Sequence, residues 1–285
     1  MKMDLKTLVV YHSEDYDGIC SREIVKKIYP NAEYLGFTYG DTIPTNLNSF
    51  DQLILVDITF PPDIMLSIKD RLTWVDHHIT AIQDSEKNGY SGVPGIRKVG
   101  EGACSLAWKY FMKSPVPKAV SLLSAYDVWD KGKYDWERET LPFQYALRGL
   151  YGLNLPVFFE ENLEDKLNIG RIILKYQKEE WRRSVNKNAF PITVDGKWKG
   201  IAMITTNSGS LQFDHVYNDY DIFVWGTLDK NGVFKFSIAS NKTRAEEFNC
   251  GVFMKEHYHG GGHQGVAGGW MYMTQFQEFI QQKIL

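Results

Sequence analysis

The sequence predicts an α/β protein: a parallel-sheet domain joined by a long helix to a smaller α/β domain, with a site in the cleft. Three observations predict it. Short apolar runs alternate with helical stretches from Leu8 to Val75, the pattern of a parallel sheet with crossover helices. One helical pattern then runs from Phe158 to about Asn188, and after Pro191 the chain changes to strand–turn–strand periodicity. A length of 285 residues also suits two domains better than one. The expected divisions are 1–157 for the first domain, 158–190 for the linking helix and 191–285 for the second domain.

In order, Leu8 to Tyr11 reads as a buried strand running into His12-Ser13-Glu14-Asp15-Tyr16-Asp17-Gly18. A helix follows with Ile24, Val25 and Ile28 on one face and ends near Pro30. Asn31 to Phe37 and Gln52 to Val56 are the next strands, and Asp57 stands at the carboxyl end of the latter. Pro61-Pro62 opens a helix to about Arg71, since proline is tolerated in a first turn. Leu72 to Val75 is a strand closing on Asp76-His77-His78, and Ser85 to Gly100 reads as a loop. Gly102 to Met112 and Lys118 to Tyr126 are helical, and the second of these ends in Asp127-Val128-Trp129-Asp130. The long helix carries an apolar stripe of Leu163, Leu167, Ile169, Ile172, Ile173 and Tyr176, interrupted by Gly170, with a solvated polar end from Lys178 to Arg183. Beyond it, Asp195-Gly196 joins a hairpin and Asn231-Gly232 joins two further strands, Ile222 to Leu228 and Val233 to Ala239. Thr243 to His257 is helical in part, a glycine run spans His259 to Gly269, and a last helix covers Thr274 to Ile284.

Composition narrows the function. Hydrophobic residues at 44% and charged residues at 24% describe an ordinary globular protein. A net charge of −3 argues against a protein that coats long nucleic acid, though not against a short anionic substrate in a locally positive cleft. Cys20, Cys104 and Cys250 are too far apart and too few for a disulfide framework or zinc knuckle. No signal peptide and no apolar run of membrane length is visible, so a cytoplasmic location without membrane association is expected.

The chemistry lies at the strand ends. Open parallel sheets bind ligands outside the carboxyl ends of their strands. Three strands here end in acidic or imidazole groups: Asp15 with Asp17, Asp57, and Asp76-His77-His78. Three ionisable groups in a row are a poor way to build a core, because buried charges without partners are costly. Asp and His together favour manganese, iron or zinc, whereas magnesium prefers oxygen. His12, Asp15, Asp17, Asp57, His77 and Asp127 are the candidate ligands, enough for two metals that share a carboxylate. Asp15 and Asp17 also suit a purely structural role as caps of the following helix. In the second domain, Gly260-Gly261-Gly262-His263 would let backbone amides approach an anion beside an imidazole, and Arg244 is a candidate phosphate contact. Trp129, Tyr134 and Trp136 could stack on a base or simply pack.

These motifs, in this order, resemble the DHH phosphoesterase superfamily in its subgroup with a carboxyl-terminal DHHA1 domain. The matching pieces are His12 to Gly18, Asp57 within Leu55-Val56-Asp57, Asp76-His77-His78, Asp127 within Tyr126-Asp127-Val128-Trp129, and Gly260 to His263 with Ala267-Gly268. The resemblance implies a DHH catalytic domain and a DHHA1-like substrate-binding domain. It implies two divalent ions, Mn2+ foremost, with Mg2+, Co2+ or Fe2+ as alternatives. It also implies roles: Asp57 bridging both ions, His12 and Asp15 on one, Asp17, His77 and Asp127 on the other. His78 would then contact the scissile phosphate, and Asp76 would orient the imidazoles from behind them. Two departures from the family pattern stand out. His12 and Asp15 are three residues apart where many relatives have four, and Ser237-Ile238-Ala239-Ser240 lacks the arginine that relatives often carry before the glycine run. Arg244 or Lys242 would supply that charge.

The expected function is a manganese-dependent phosphohydrolase acting on phosphodiester or phosphomonoester bonds of short nucleotide substrates by attack of a metal-bridging hydroxide. A phosphodiesterase or oligonucleotide exonuclease is the leading form. A pyrophosphatase or exopolyphosphatase on the same scaffold is one alternative, and a non-catalytic nucleotide-binding regulator is another. The expected partner is a small phosphorylated molecule or short oligonucleotide, and a homodimer is compatible with the sequence.

Overall fold

The computed structural model describes residues 5–206, 209–262, 264–272, 274 and 275. The chain divides into two compact units, Met1–Leu174 and Lys175–Leu285.

The first unit is built on a four-stranded parallel sheet of β1 (Thr7–His12), β2 (Glu33–Phe37), β3 (Gln52–Val56) and β4 (Leu72–Val75), in the order β2-β1-β3-β4. Side chains alternate between the faces of a strand, so β1 and β3 feed two cores. Val9, Ile54 and Val56 pack on one side with α1 (Tyr16–Lys26), α4 (Ala103–Ala107), α5 (Lys118–Asp127) and α6 (Leu141–Tyr151). Leu8, Val10, Leu53, Leu55 and Trp74 pack on the other, with α2 (Pro62–Ile68) and α3 (Ile79–Asn88). Burial on both faces is why these strands read as unbroken apolar runs. An extended segment covers the outer edge of β4: Trp74 and Asp76 amides donate to the Pro94 and Ile96 carbonyls at 2.8 and 3.1 Å.

Several expectations are corrected. Helix α1 stops at Lys26, and Ile28 lies beyond it, 45% exposed rather than on the buried face. The stretch expected to be loop from Ser85 is helical to Asn88, where Gly89 in the left-handed region ends α3. Helix α4 ends after Ala107, and a π turn, Trp108–Met112, completes the expected helix. Helix α6 escaped the sequence pattern because Leu141, Phe143, Tyr145, Ala146 and Leu147 are all buried, which leaves no polar face to give a period.

The long helix, α7 (Leu163–Asn188), begins five residues later than Phe158. Its expected stripe is right in part: Leu167 is buried and Leu163 packs against the core, but Ile172 and Tyr176 are 72% and 67% exposed, and the buried line continues through Leu174, Trp181 and Val185. Gly170 belongs to that buried line, because a Cβ there would sit 1.8 Å from the Pro142 carbonyl oxygen. What read as an interruption is the point where α7 presses on α6. The polar end forms exposed ion pairs, Glu179 with Arg182 and Glu180 with Arg183, worth little to stability.

The second unit holds a six-stranded mixed sheet of β5 (Phe190–Val194), β6 (Trp198–Ile204), β7 (Ile222–Leu228), β8 (Val233–Ser240), β9 (His259–Gly262) and β10 (Val266–Tyr272). The order is β5-β6-β7-β8-β10-β9, with β6 and β7 parallel and the other pairs antiparallel. Helix α8 (Cys250–His257) covers one face through Cys250 and Met254, and Phe213 on a 3-10 stretch covers the other. Within the glycine run, Gly260, Gly261 and Gly262 are strand and pair with Gly269, Gly268 and Ala267. Of the helix expected from Thr274 to Ile284, only the first two positions lie within the described residues.

Candidate metal centre

The carboxyl edge of the parallel sheet positions each side chain of the centre. His12 ends β1, and Asp15 caps α1 by accepting the Gly18 amide on Oδ1 at 3.0 Å. Its other oxygen, Oδ2, lies 2.9 Å from His12 Nδ1. Capping and a place in the centre are thus compatible for one carboxylate. The close turn needs Gly18, where a Cβ would meet the His12 carbonyl oxygen at 2.1 Å.

Asp17 is 2% exposed and takes two backbone donors, Ala103 N at 2.5 Å and Cys104 N at 2.8 Å. These are free amides of the first turn of α4, where a negative charge is favoured. Ser124 Oγ accepts the neighbouring Gly102 amide at 2.8 Å and ties the same turn to α5. Nothing in the sequence pattern pointed to this clamp. Gly102 permits the close approach, since a Cβ there would meet Asp17 Oδ1 at 2.9 Å.

Asp57 follows β3 in the left-handed region at φ 60°, and its amide donates to the Val75 carbonyl at 2.9 Å. Its two oxygens face different neighbours. Oδ2 lies 3.9 Å from His12 Nδ1, while Oδ1 lies 3.3 Å from His77 Nε2 and 3.9 Å from His78 Nδ1. Oδ1 is buried and receives no hydrogen bond.

Asp76 is fully buried at the end of β4 and acts on the histidines beside it. Its Oδ1 accepts the amides of His77 and His78 at 2.7 and 3.2 Å and lies 2.7 Å from His78 Nδ1. Trp74 Nε1 donates to Oδ2 at 3.2 Å. His77 is thereby held with Nε2 among three carboxylates, 3.6 Å from Asp17, 3.3 Å from Asp57 and 3.3 Å from Asp127, the last residue of α5.

The electrostatics are those of a site short of positive charge. Burial pushes the Asp57 carboxyl well above its usual range, and Asp17, Asp15 and Asp127 push it further. Asp127 is raised the same way, by burial and then by Asp17 and Asp15. Burial also raises Asp17, with His77 offsetting part of it. Burial alone would raise Asp15, but the hydrogen bond and charge of His12 together with the Gly18 and Asp17 amides outweigh it and hold that carboxyl low. The same bond raises His12, while burial lowers His77.

Among the described residues, three sets of side chains bring their ligating atoms within 4.8 Å of one another: His12, Asp15 and Asp57; Asp57, His77 and His78; Asp17, His77 and Asp127. Asp57 and His77 each belong to two sets. The residues fit divalent cations. Mixed imidazole and carboxylate donors converge, and a buried carboxylate oxygen lacks a partner where a cation would supply one.

No family model matches the sequence, and no curated protein matches it. Solved structures do match. The pGpG-specific phosphodiesterase PggH from Vibrio cholerae aligns over 97% of each chain at 12% identity with a TM-score of 0.57. The DHH domain of a member of a ribosomal-protein family aligns over 97% of this chain and 85% of that one, at 12% identity and a TM-score of 0.57. The chain has the DHH-domain fold.

Within the DHH-domain fold, the structure brings together His12, Asp15, Asp17, Asp57, Asp76, His77, His78 and Asp127. The other expected site residues belong to the second unit. There Arg244 donates to Asp221 Oδ1 at 2.8 Å and to the Asn218 carbonyl at 3.1 Å. Gly260, Gly261 and Gly262 form an exposed strand, and His263 lies outside the described residues. Trp129 and Trp136 pack with Tyr126, the Trp136 and Tyr126 rings parallel to within 5°. One residue at the centre went unread in the sequence: Tyr39, whose ring lies 6.3 Å from the rings of both His12 and His78. A single tyrosine after a strand carries no pattern by which to single it out. No described helix is long and apolar enough to cross a membrane.

Proposed function

We propose that this chain is a metal-dependent phosphohydrolase of the DHH superfamily that cleaves phosphoester bonds in short nucleotides, linear dinucleotides foremost. Asp57 carries the reading: a buried carboxylate with one oxygen toward His12, the other toward His77 and His78, and no hydrogen bond to Oδ1. That placement suits two cations, manganese by preference, with Asp57 between them. His12 and Asp15 would hold one, and Asp17, His77 and Asp127 the other. Bound there, divalent ions supply Lewis-acid chemistry, polarising phosphoryl oxygens and making a water more acidic.

The chain's own residues then divide the work. Asp76 fixes both histidines through their amides and the His78 ring, leaving His78 Nε2 to meet a phosphate oxygen. The amides of α4 hold Asp17 in one orientation, so its place does not depend on the ion. A short substrate agrees with the net charge of −3, which offers no basic track for a long strand. A dinucleotide also agrees with the substrate named for the Vibrio cholerae phosphodiesterase of the same fold.

The test is hydrolysis of pGpG, pApA, 3′-phosphoadenosine 5′-phosphate and pyrophosphate by chelator-stripped protein with and without added Mn2+. Mn2+-dependent release of nucleoside monophosphate, lost in Asp57→Asn, is the expected result. Absence of hydrolysis across the nucleotide panel overturns the proposal.

A further inference from the structure

Tyr39 has no structural task that explains its position. It is 54% exposed, yet its ring stands at the centre, equidistant from the rings of His12 and His78 at 6.3 Å. It is also rigidly presented. The turn after β2 is closed by the Thr38 amide donating to Asp41 Oδ2 at 2.8 Å and the Asp41 amide donating to the Thr38 carbonyl at 3.0 Å. With the turn closed, Tyr39 offers an exposed aromatic side chain beside the two imidazoles. Trp129, two residues past Asp127, packs its ring on Trp136 and Tyr126.

We infer that Tyr39 forms a base-stacking subsite, taking the nucleobase of a phosphoester whose phosphate meets His78. The inference rests on the proposed phosphohydrolase activity and names the substrate feature it selects. A purine or pyrimidine offers a flat face to an exposed tyrosine ring, and stacking of this kind accepts any base. One ribose separates a base from its 5′-phosphate, a span that suits an aromatic ring 6.3 Å from the phosphate-facing His78 ring. Pyrophosphate and polyphosphate have nothing to place there, so the subsite selects nucleotides over inorganic chains. Tyr39 acts on binding and position and takes no part in bond cleavage.

The experiment compares ligands that differ only in the base. Full-length protein loaded with Mn2+ is titrated calorimetrically with guanosine 5′-monophosphate and with ribose 5-phosphate, and KM is measured for pGpG. Wild type is expected to bind the nucleotide more tightly than the sugar phosphate. Tyr39→Ala should weaken the nucleotide about 5- to 100-fold and leave ribose 5-phosphate affinity in place, with the loss in KM rather than kcat. Tyr39→Phe keeps the ring and should restore the preference, and thermal melting verifies that each variant is folded. A Tyr39→Ala variant that weakens both ligands equally, or neither, overturns the stacking role while leaving the metal centre standing. Wild type that cleaves pyrophosphate but shows no preference for the nucleotide does the same. Wild type that binds neither ligand and cleaves nothing overturns the phosphohydrolase reading itself, and the subsite with it.

Discussion

Replacing Asp57 by asparagine should make the metal-free protein more stable and the metal-loaded protein inactive. Asparagine is the right probe because the position has φ 60°, a region that Asn tolerates as well as Asp and that Ala does not. The substitution therefore removes charge without adding backbone strain. Asp57 and Asp15 offer oxygens within 4.8 Å of each other, and two unit charges at that distance repel by about 3 kcal/mol at an effective dielectric constant near 20. His12 is shared between them and already hydrogen-bonded to Asp15, so it relieves only part of this. Burial adds a desolvation cost with no hydrogen bond to Oδ1 to offset it. A net gain of about 1–2 kcal/mol on neutralisation is in the ordinary range for removing such a conflict, and in a unit of this size it raises Tm by about 2–8 °C. The assay is thermal unfolding of wild type and Asp57→Asn, each with chelator and with saturating Mn2+. Wild type should gain much from the metal and the variant little, because the residue that joins two ligand sets has lost its charge. A variant that melts lower than wild type in chelator, yet gains as much from Mn2+, would refute the assignment of Asp57 as the shared ligand.

The remaining predictions concern the supports of the centre. Asp76→Asn removes the charge that orients His78 and should lower metal affinity or turnover by about 10- to 100-fold, measured by Mn2+ titration of activity, with smaller effects on folding. Ser124→Ala leaves the buried Gly102 amide without its acceptor, should cost about 1–3 kcal/mol by urea unfolding, and should weaken metal binding by loosening the turn that holds Asp17. In chelator, Tm should fall from pH 5 to pH 7.5. Carboxyls raised in the fold (Asp17, Asp57 and Asp127) oppose folding once ionised, and the raised His12 and His78 lose their stabilising proton as pH rises, with the lowered His77 acting the other way. Saturating Mn2+ should reverse that slope, because metal and protons compete for the same groups. A flat Tm profile in chelator, or an unchanged slope with metal, would contradict the linkage.

The strands and the ligand set were legible because parallel strands announce themselves twice, as apolar runs and by what stands at their ends. Gln52–Val56 and Leu72–Val75 match the structure residue for residue, and the ionisable groups after them converge as the sheet geometry requires. Helices fared worse where burial or exposure broke the simple stripe. Ile172 and Tyr176 look like a core face on α7 but stand in solvent, while Gly170, which looked like a defect, lies in the contact. The glycine run misled in a different way. Consecutive glycines suggest a bend, yet here they let β9 lie close against β10, where a side chain on Gly260 would meet the Gly268 carbonyl at 2.2 Å. The supports of the centre were invisible because they are contacts between residues far apart in sequence. The amides of Ala103 and Cys104 on Asp17 are 86 and 87 positions away, and no local pattern encodes that.

The way compensation is distributed in the centre says which carboxylate the metal is for. Asp17 has two backbone amides, Asp76 has two amides, an imidazole and an indole, and Asp15 has an amide and His12. Each of these would remain in place in a metal-free protein. Asp57 has no donor to its inner oxygen and sits in a backbone conformation that costs about 1 kcal/mol or more for a residue other than glycine. A chain folding for stability alone would not put a buried carboxylate oxygen without a donor on a residue held at positive φ, at the point where two ligand sets meet. The two costs fall on the one residue whose oxygens face both sets, so the fold leaves there the interaction that only a cation can complete. Asp57 should accordingly show the largest difference of the four between its effect on the metal-free and the metal-loaded protein, and Asp76, fully satisfied from within the chain, should show the smallest.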